Sequence, residues 1–115
     1  MQDEDFEKVV TESINELPTE FKSQMDNVEI VIEDWPVNAQ GKPYAGLLGL
    51  YHGVPKTERN TFPALPDKIT IYKEPILLIS KNIEEAKKNI KDTVLHELGH
   101  HFGLSDEDLE RINRH

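Results

Sequence analysis

The chain has 115 residues, a length that suits one compact domain with one core and buries enough surface to fold without covalent staples. It contains no Cys, which excludes thiolate metal ligands, a Cys nucleophile and a redox role. Thirteen Lys and Arg against 22 Asp and Glu leave a net charge of -9, a field that repels phosphate backbones and argues against nucleic-acid partners.

The amino terminus, MQDEDFEKVV, is acidic where a secretory signal is basic, and no segment reaches the roughly 20 apolar residues that span a bilayer. A cytoplasmic protein without membrane association is expected. From Asp3 to Leu17, the positions Phe6, Val9, Val10, Ser13 or Ile14, and Leu17 recur at helical spacing, which predicts an amphipathic helix. Pro18 ends or kinks it, with a second short helical piece through Phe21 and Met25. Val28 to Glu33 alternates, placing Val28, Ile30 and Ile32 on one face of a strand.

Trp35-Pro36 closes that strand, and Val37 to Gly46 reads as loop. Leu47 to Tyr51 and Lys68 to Tyr72 are further strand-like runs, with Gly53, Pro55, Asn60, Pro63 and Pro66 between them. Pro75 to Ser80 is apolar but carries no periodicity that decides its conformation. Asn82 and Glu85 have capping-box spacing and predict the start of a long helix. That helix runs to about Phe102, where Gly103 suits the left-handed position past a helix end. Ser105 and Asp108 repeat the cap spacing before a last short helix with Leu109 and Ile112 inward.

Within the long helix stands His96-Glu97-Leu98-Gly99-His100. A helix advances about 100° per residue, so the two His lie one turn apart on one face and can hold one ion together. Imidazoles without thiolates suit Zn²⁺, and Glu97 beside the first ligand is placed to take a proton from a metal-bound water. Ile83, Ala86, Ile90, Val94 and Leu98 form the apolar stripe of this helix, while His96 and His100 fall on the other side with Glu85, Asn89 and Asp92. Such an orientation opens the pair to a cleft rather than to the core. Catalytic zinc takes three protein ligands, and Asp106 follows Gly103 by three residues as a hard oxygen donor, giving H-E-x-x-H-x-x-G-x-x-D.

This extended motif resembles the metzincin consensus of zinc peptidases with Asp in place of the third His. A closer similarity is to the small zincin-like metallopeptidases of bacteria, the minimal zincins. It rests on the segments 49–59 and 69–72 and on Thr93 to Gly103 with its acidic tail, and covers roughly residues 28–112. The resemblance implies an α+β fold in which a small mixed sheet of three or four strands and a first helix pack against the zinc-bearing helix. It implies zinc held by His96, His100 and Asp106, with Glu97 as base, in a peptidase acting on peptide or protein substrates; a monomer or weak oligomer is expected. Residues 1–115 then form one such domain. Only nine residues follow Asp106, and both Met residues lie upstream, so the lower subdomain and Met-containing turn of larger relatives are not expected.

Other residues compete for roles. Glu107 and Asp108 are rival ligands to Asp106; His101 projects toward the apolar stripe; His52 is either a cleft residue or an exposed strand His; and His115 is terminal. Tyr51, His52, Arg59 and Tyr72 are the candidate donors to an oxyanion. An unpaired sheet edge near the groove offers strand addition to an extended peptide. The alternative function is a non-catalytic zinc-stabilised binding or regulatory module; a metal-dependent ribonuclease is disfavoured by Glu97 and by the charge.

Overall fold

The computed structural model describes residues 1–25, 27–53, 66–101 and 106–113; for Gln24, His101, Asp106, Leu109, Ile112 and Asn113 it describes the backbone alone. The expected helix forms as α1, Asp3–Asn15, with Phe6, Val9, Val10 and Ser13 buried along one face. It ends two residues before Leu17, which is nonetheless buried beyond the helix. Ser13 is tolerated in the core because its hydroxyl donates to the Val9 carbonyl at 2.7 Å. Pro18 opens a short α2, Thr19–Lys22, and a 3₁₀ turn, Ser23–Met25, leads into the sheet.

The sheet has three strands, β1 (Val28–Glu33), β2 (Gly49–His52) and β3 (Asp67–Tyr72), in the order β1-β3-β2. β1 runs parallel to β3 with Ile30 opposite Ile69, and β2 runs antiparallel to it with Tyr51 opposite Ile69. Ile69 and Ile71, which share one face of the central strand, are fully buried against the core. The second strand begins at Gly49 rather than at Leu47, and Leu48 joins the ladder only through its carbonyl, which accepts from the Tyr72 N–H at 3.0 Å. The stretch from Val37 to Pro43 is an ordered turn in which the Asn38 side chain accepts from the N–H groups of Gln40 and Lys42 and Gly41 takes φ of 78°.

The undecided stretch after the third strand is helical: α3 spans Lys73–Leu78 and buries Lys73, Pro75 and Ile76. Pro75 sits in its first turn, where no intrahelical donor is lost. Lys73 anchors this helix to the start of the chain, its Nζ lying 2.6 Å from Asp3. The bond to Asp3 holds the Lys73 ammonium above the usual lysine value despite its desolvation.

The long helix α4 spans Ile83–His101. The capping box is present, with the Glu85 N–H donating to Asn82 Oδ1 at 2.9 Å and Glu85 answering with a bond from the Lys81 N–H at 3.1 Å. Ala86, Ile90, Val94, Leu95 and Leu98 are buried in one core with Phe6, Val9 and Val10 of α1 and Ile69 and Ile71 of β3. Ile83 departs from the expected stripe. It is 54% exposed, although Ala86 in the same turn is buried in the core. A final helix α5, Asp106–Asn113, packs on α4. The expectations for Gly103 as the helix end and Ser105 as a cap, and for the inward side chains of Leu109 and Ile112, lie outside the described residues.

Between α1 and α4, Lys87 meets Glu12 and Glu16 at 3.2 and 3.0 Å, and Lys91 meets Glu16 at 3.3 Å. The bonds from Lys87 and Lys91 hold the Glu16 carboxyl below the usual carboxylate range. A lowered carboxyl stabilises the fold at pH values above its unfolded pKa and loses that contribution as pH falls through the folded value. Glu16→Gln should therefore lower urea-melt stability at pH 7, and the difference from the parent should vanish as pH drops below the carboxylate range. A difference that persists unchanged to pH 2 would place the effect outside this ion-pair cluster.

Candidate metal centre

The apolar stripe of α4 is turned to the core, so its opposite face is set by helical pitch alone. That face carries His96 and His100, both exposed, with ring centroids 5.9 Å apart in an edge-to-face arrangement of 77°. His96 Nδ1 lies 2.7 Å from the Asp92 carbonyl. A carbonyl only accepts, so Nδ1 carries the proton and the ring lone pair is left on Nε2, the tautomer that ligates a metal. Two imidazoles one turn apart, one with its tautomer held by backbone, are a donor set that fits Zn²⁺.

Glu97 sits between them, half-buried, and is held from outside its own helix. Its Oε1 accepts the backbone N–H of Tyr51 at 2.9 Å. This bond reaches from α4 to β2, and it requires the strand to approach the helix closely. Gly49 makes the approach possible: a Cβ at that position would stand 2.5 Å from Thr93 Cγ2 and 3.0 Å from the Thr70 carbonyl oxygen. Thr93 is itself fixed, its hydroxyl donating to the Asn89 carbonyl at 2.7 Å. Between strand and helix lies a groove of about 350 Å³, walled by Leu47, Leu48 and Gly49 on one side and by Asn89, Asp92, Thr93, His96 and Glu97 on the other.

The structure thus brings His96, Glu97 and His100 together and sets Asn89 and Asp92 beside them, as the helical projection requires. Asp106 opens α5 just beyond the end of α4, but its carboxylate lies outside the described side chains. Among the described residues no group of three His, Asp or Glu that could hold a metal is assembled.

The remaining candidates separate. The Tyr51 hydroxyl donates to Asp67 Oδ2 at 2.5 Å, so this phenol is committed across the sheet rather than to the groove. Tyr72 ends the central strand and lines a different cavity. His52 is the exposed strand residue of its two alternatives, opposite Lys68. Arg59, His115 and the side chain of His101 lie outside the described residues. The edge strand near the groove is β2, but at Tyr51 its outward N–H is taken by Glu97.

Two contributors escaped the sequence: the Tyr51 backbone and the close approach at Gly49. A glycine heading a strand is a signal of near backbone contact and could have indicated the second. Nothing in a sequence marks one N–H of a strand as a partner for a carboxylate 46 residues later.

Gly49→Ala should destabilise the protein by about 1–3 kcal/mol, the usual range for overpacking. Adding Thr93→Ser removes the clashing methyl and should restore part of the loss, measured by chemical denaturation of the single and double variants. Strictly additive effects would show that the contact at Gly49 does not limit the approach of β2.

Comparison with known proteins places these features in context. A family model described as zincin-like metallopeptidase matches residues 25–115. Among solved structures, a conserved hypothetical protein from T. thermophilus is similar at 25% identity, covering 89% of this chain and 94% of that one with a TM-score of 0.56. Among curated proteins none matches.

Proposed function

The chain belongs to the zincin-like metallopeptidase family, and on that premise we propose that residues 1–115 form one zinc peptidase domain that hydrolyses peptide bonds. The observation that carries this reading is the placement of His96 and Glu97 together in a groove walled by β2. His96 and His100 would hold the zinc with Asp106 as third ligand, and Glu97 would act as general base. When bound, zinc supplies a Lewis acid that polarises a carbonyl and makes water acidic near neutral pH.

The chain's own groups do the rest. Glu97 takes the proton of the attacking water and returns it to the leaving amine. The Tyr51 N–H holds one carboxylate oxygen, so the side chain keeps one rotamer and the other oxygen is left for proton transfer. The Asp92 carbonyl holds the His96 ring in the same way. Leu47 and Leu48 give the groove an apolar wall against which an extended peptide can lose water. In this reading the protein is a cytoplasmic monomer or weak oligomer working on peptides or proteins, and its net charge of -9 argues against a nucleic-acid partner. Among the described residues, no helix is long and apolar enough to cross a membrane.

A second reading, a zinc-stabilised binding module without turnover, is favoured by one observation: the Glu97 carboxylate already has a structural partner in β2. The two differ in what Glu97 does.

Purified protein should carry about one zinc per chain, and changing both His96 and His100 to Ala should abolish binding, as read by native mass spectrometry. Asp106→Ala should weaken zinc affinity by at least about 10–100-fold, with Asp106→His restoring it. Loss of affinity in Glu107→Ala or Asp108→Ala, with Asp106→Ala unaffected, would move the third ligand to that neighbour.

Glu97→Gln should keep the metal but lower cleavage of an unbiased peptide library by about 10²–10⁴-fold, the span of general-base catalysis. Parent and variant alike leaving the library intact, with and without chelator, would decide for the binding module.

A further inference from the structure

On the β1 side of the sheet, away from the His pair, lies a larger cavity of about 570 Å³, within the size range of small-ligand sites. Its walls come from the first turns of α1, the end of β1 and the end of β3. Glu7, Glu33 and Asp34 line it, and no ion pair ties any of them to a described Lys or Arg. Asp3 also borders it but is neutralised by Lys73. Trp35, 37% exposed, stands on the same wall. The ordered turn behind Trp35 and Pro36 holds that wall, through the Tyr44 N–H bond to the Pro36 carbonyl at 3.1 Å.

Acidic side chains alone describe an ordinary solvated face. Tyr72 makes this one different. It lines the cavity with only 7% of its surface exposed, and its hydroxyl has no hydrogen-bond partner among the described residues. No described side-chain polar atom is both sealed from solvent and unpartnered, so that hydroxyl reaches solvent, on a residue that lines the cavity. Burial first, then the charge of Glu33 and the nearby Tyr44, raise the phenol above its usual value and keep it a neutral O–H.

We propose that this cavity is a binding site for an alkyl guanidinium or ammonium group, such as the side chain of an Arg or Lys carried on a peptide. Glu33, Asp34 and Glu7 supply the countercharge, the Tyr72 oxygen accepts an N–H, and the Trp35 ring offers a face for cation–π contact. Carboxylates on an open surface bind cations weakly, but a concave wall backed by buried Tyr72 and half-buried Ile32 concentrates their field. The volume exceeds one long side chain and leaves room for the backbone that bears it. The site is separate from the zinc reading and independent of turnover.

Trp35 is the one Trp of the chain, so its emission reports this cavity directly. The parent would be titrated with N-acetyl-arginine amide, with the neutral isostere N-acetyl-citrulline amide, and with a blocked Gly-Gly-Arg-Gly-Gly peptide, with calorimetry alongside. Saturable binding of the arginine probes, weakened by salt and at least about tenfold weaker in a Glu33→Gln, Asp34→Asn double variant, is expected. Tyr72→Phe, which keeps the ring, should weaken it by a smaller factor. Tighter binding of the peptide than of the amide would identify a peptide side chain as the ligand; equal binding would identify a free cation. Citrulline titrating like arginine, the double variant binding within about twofold of the parent, or no saturation by either method up to about 10 mM would overturn the proposal.

Discussion

Burial of one face of α4 is the constraint on which the rest of the molecule depends. Ala86, Ile90, Val94, Leu95 and Leu98 are enclosed by α1 on one side and by the sheet on the other, and no other element touches both layers so extensively. Removing apolar surface from water fixes the rotation of that helix about its axis. Once the rotation is fixed, the direction of every other residue on it follows. His96 and His100 must face outward, and Glu97, one step from His96, must face β2.

Glu97 shows how closely chemistry and architecture are joined here. The residue that would move protons in the proposed reaction also bonds the edge strand to the central helix. That bond exists because Gly49 lets β2 lie against Thr93. The same groove therefore depends on a missing Cβ, a strand N–H and a carboxylate, each from a different part of the chain. An extended peptide added to β2 would meet Glu97 already seated on the strand's outward N–H, so in the proposed reaction recognition and proton transfer would share one atom pair.

The two edges of the sheet carry opposite chemistry. Beside β2 stand imidazoles and an apolar wall suited to a metal and an extended chain. Beside β1 stand carboxylates around a buried phenol and a lone indole, suited to a cation. α1 contributes to that second surface and to the core, yet all of it lies before Met25, where the family match begins. The first helix thus packs as an integral layer while belonging to the least family-like part of the chain.

What the sequence determined by itself was local. Helical pitch is a property of consecutive residues, so the shared face of His96 and His100, its opposition to the apolar stripe and the cap at Asn82 were all legible from spacing. Alternation placed β1 at its bounds, and the β-branched run from Lys68 to Tyr72 placed β3 to within a residue of its own. Asp106 was legible only as a spacing from Gly103, because spacing by itself gives no path for the chain between two residues. Tertiary structure alone decided the helical state of Lys73–Leu78, the exposure of Ile83 and the separation of Tyr72 from the groove. It also decided that Glu97 meets the Tyr51 N–H. These are outcomes of which surfaces meet when α1, the sheet and α4 close on one core, and such encounters between distant segments leave no periodic mark in the residues that make them.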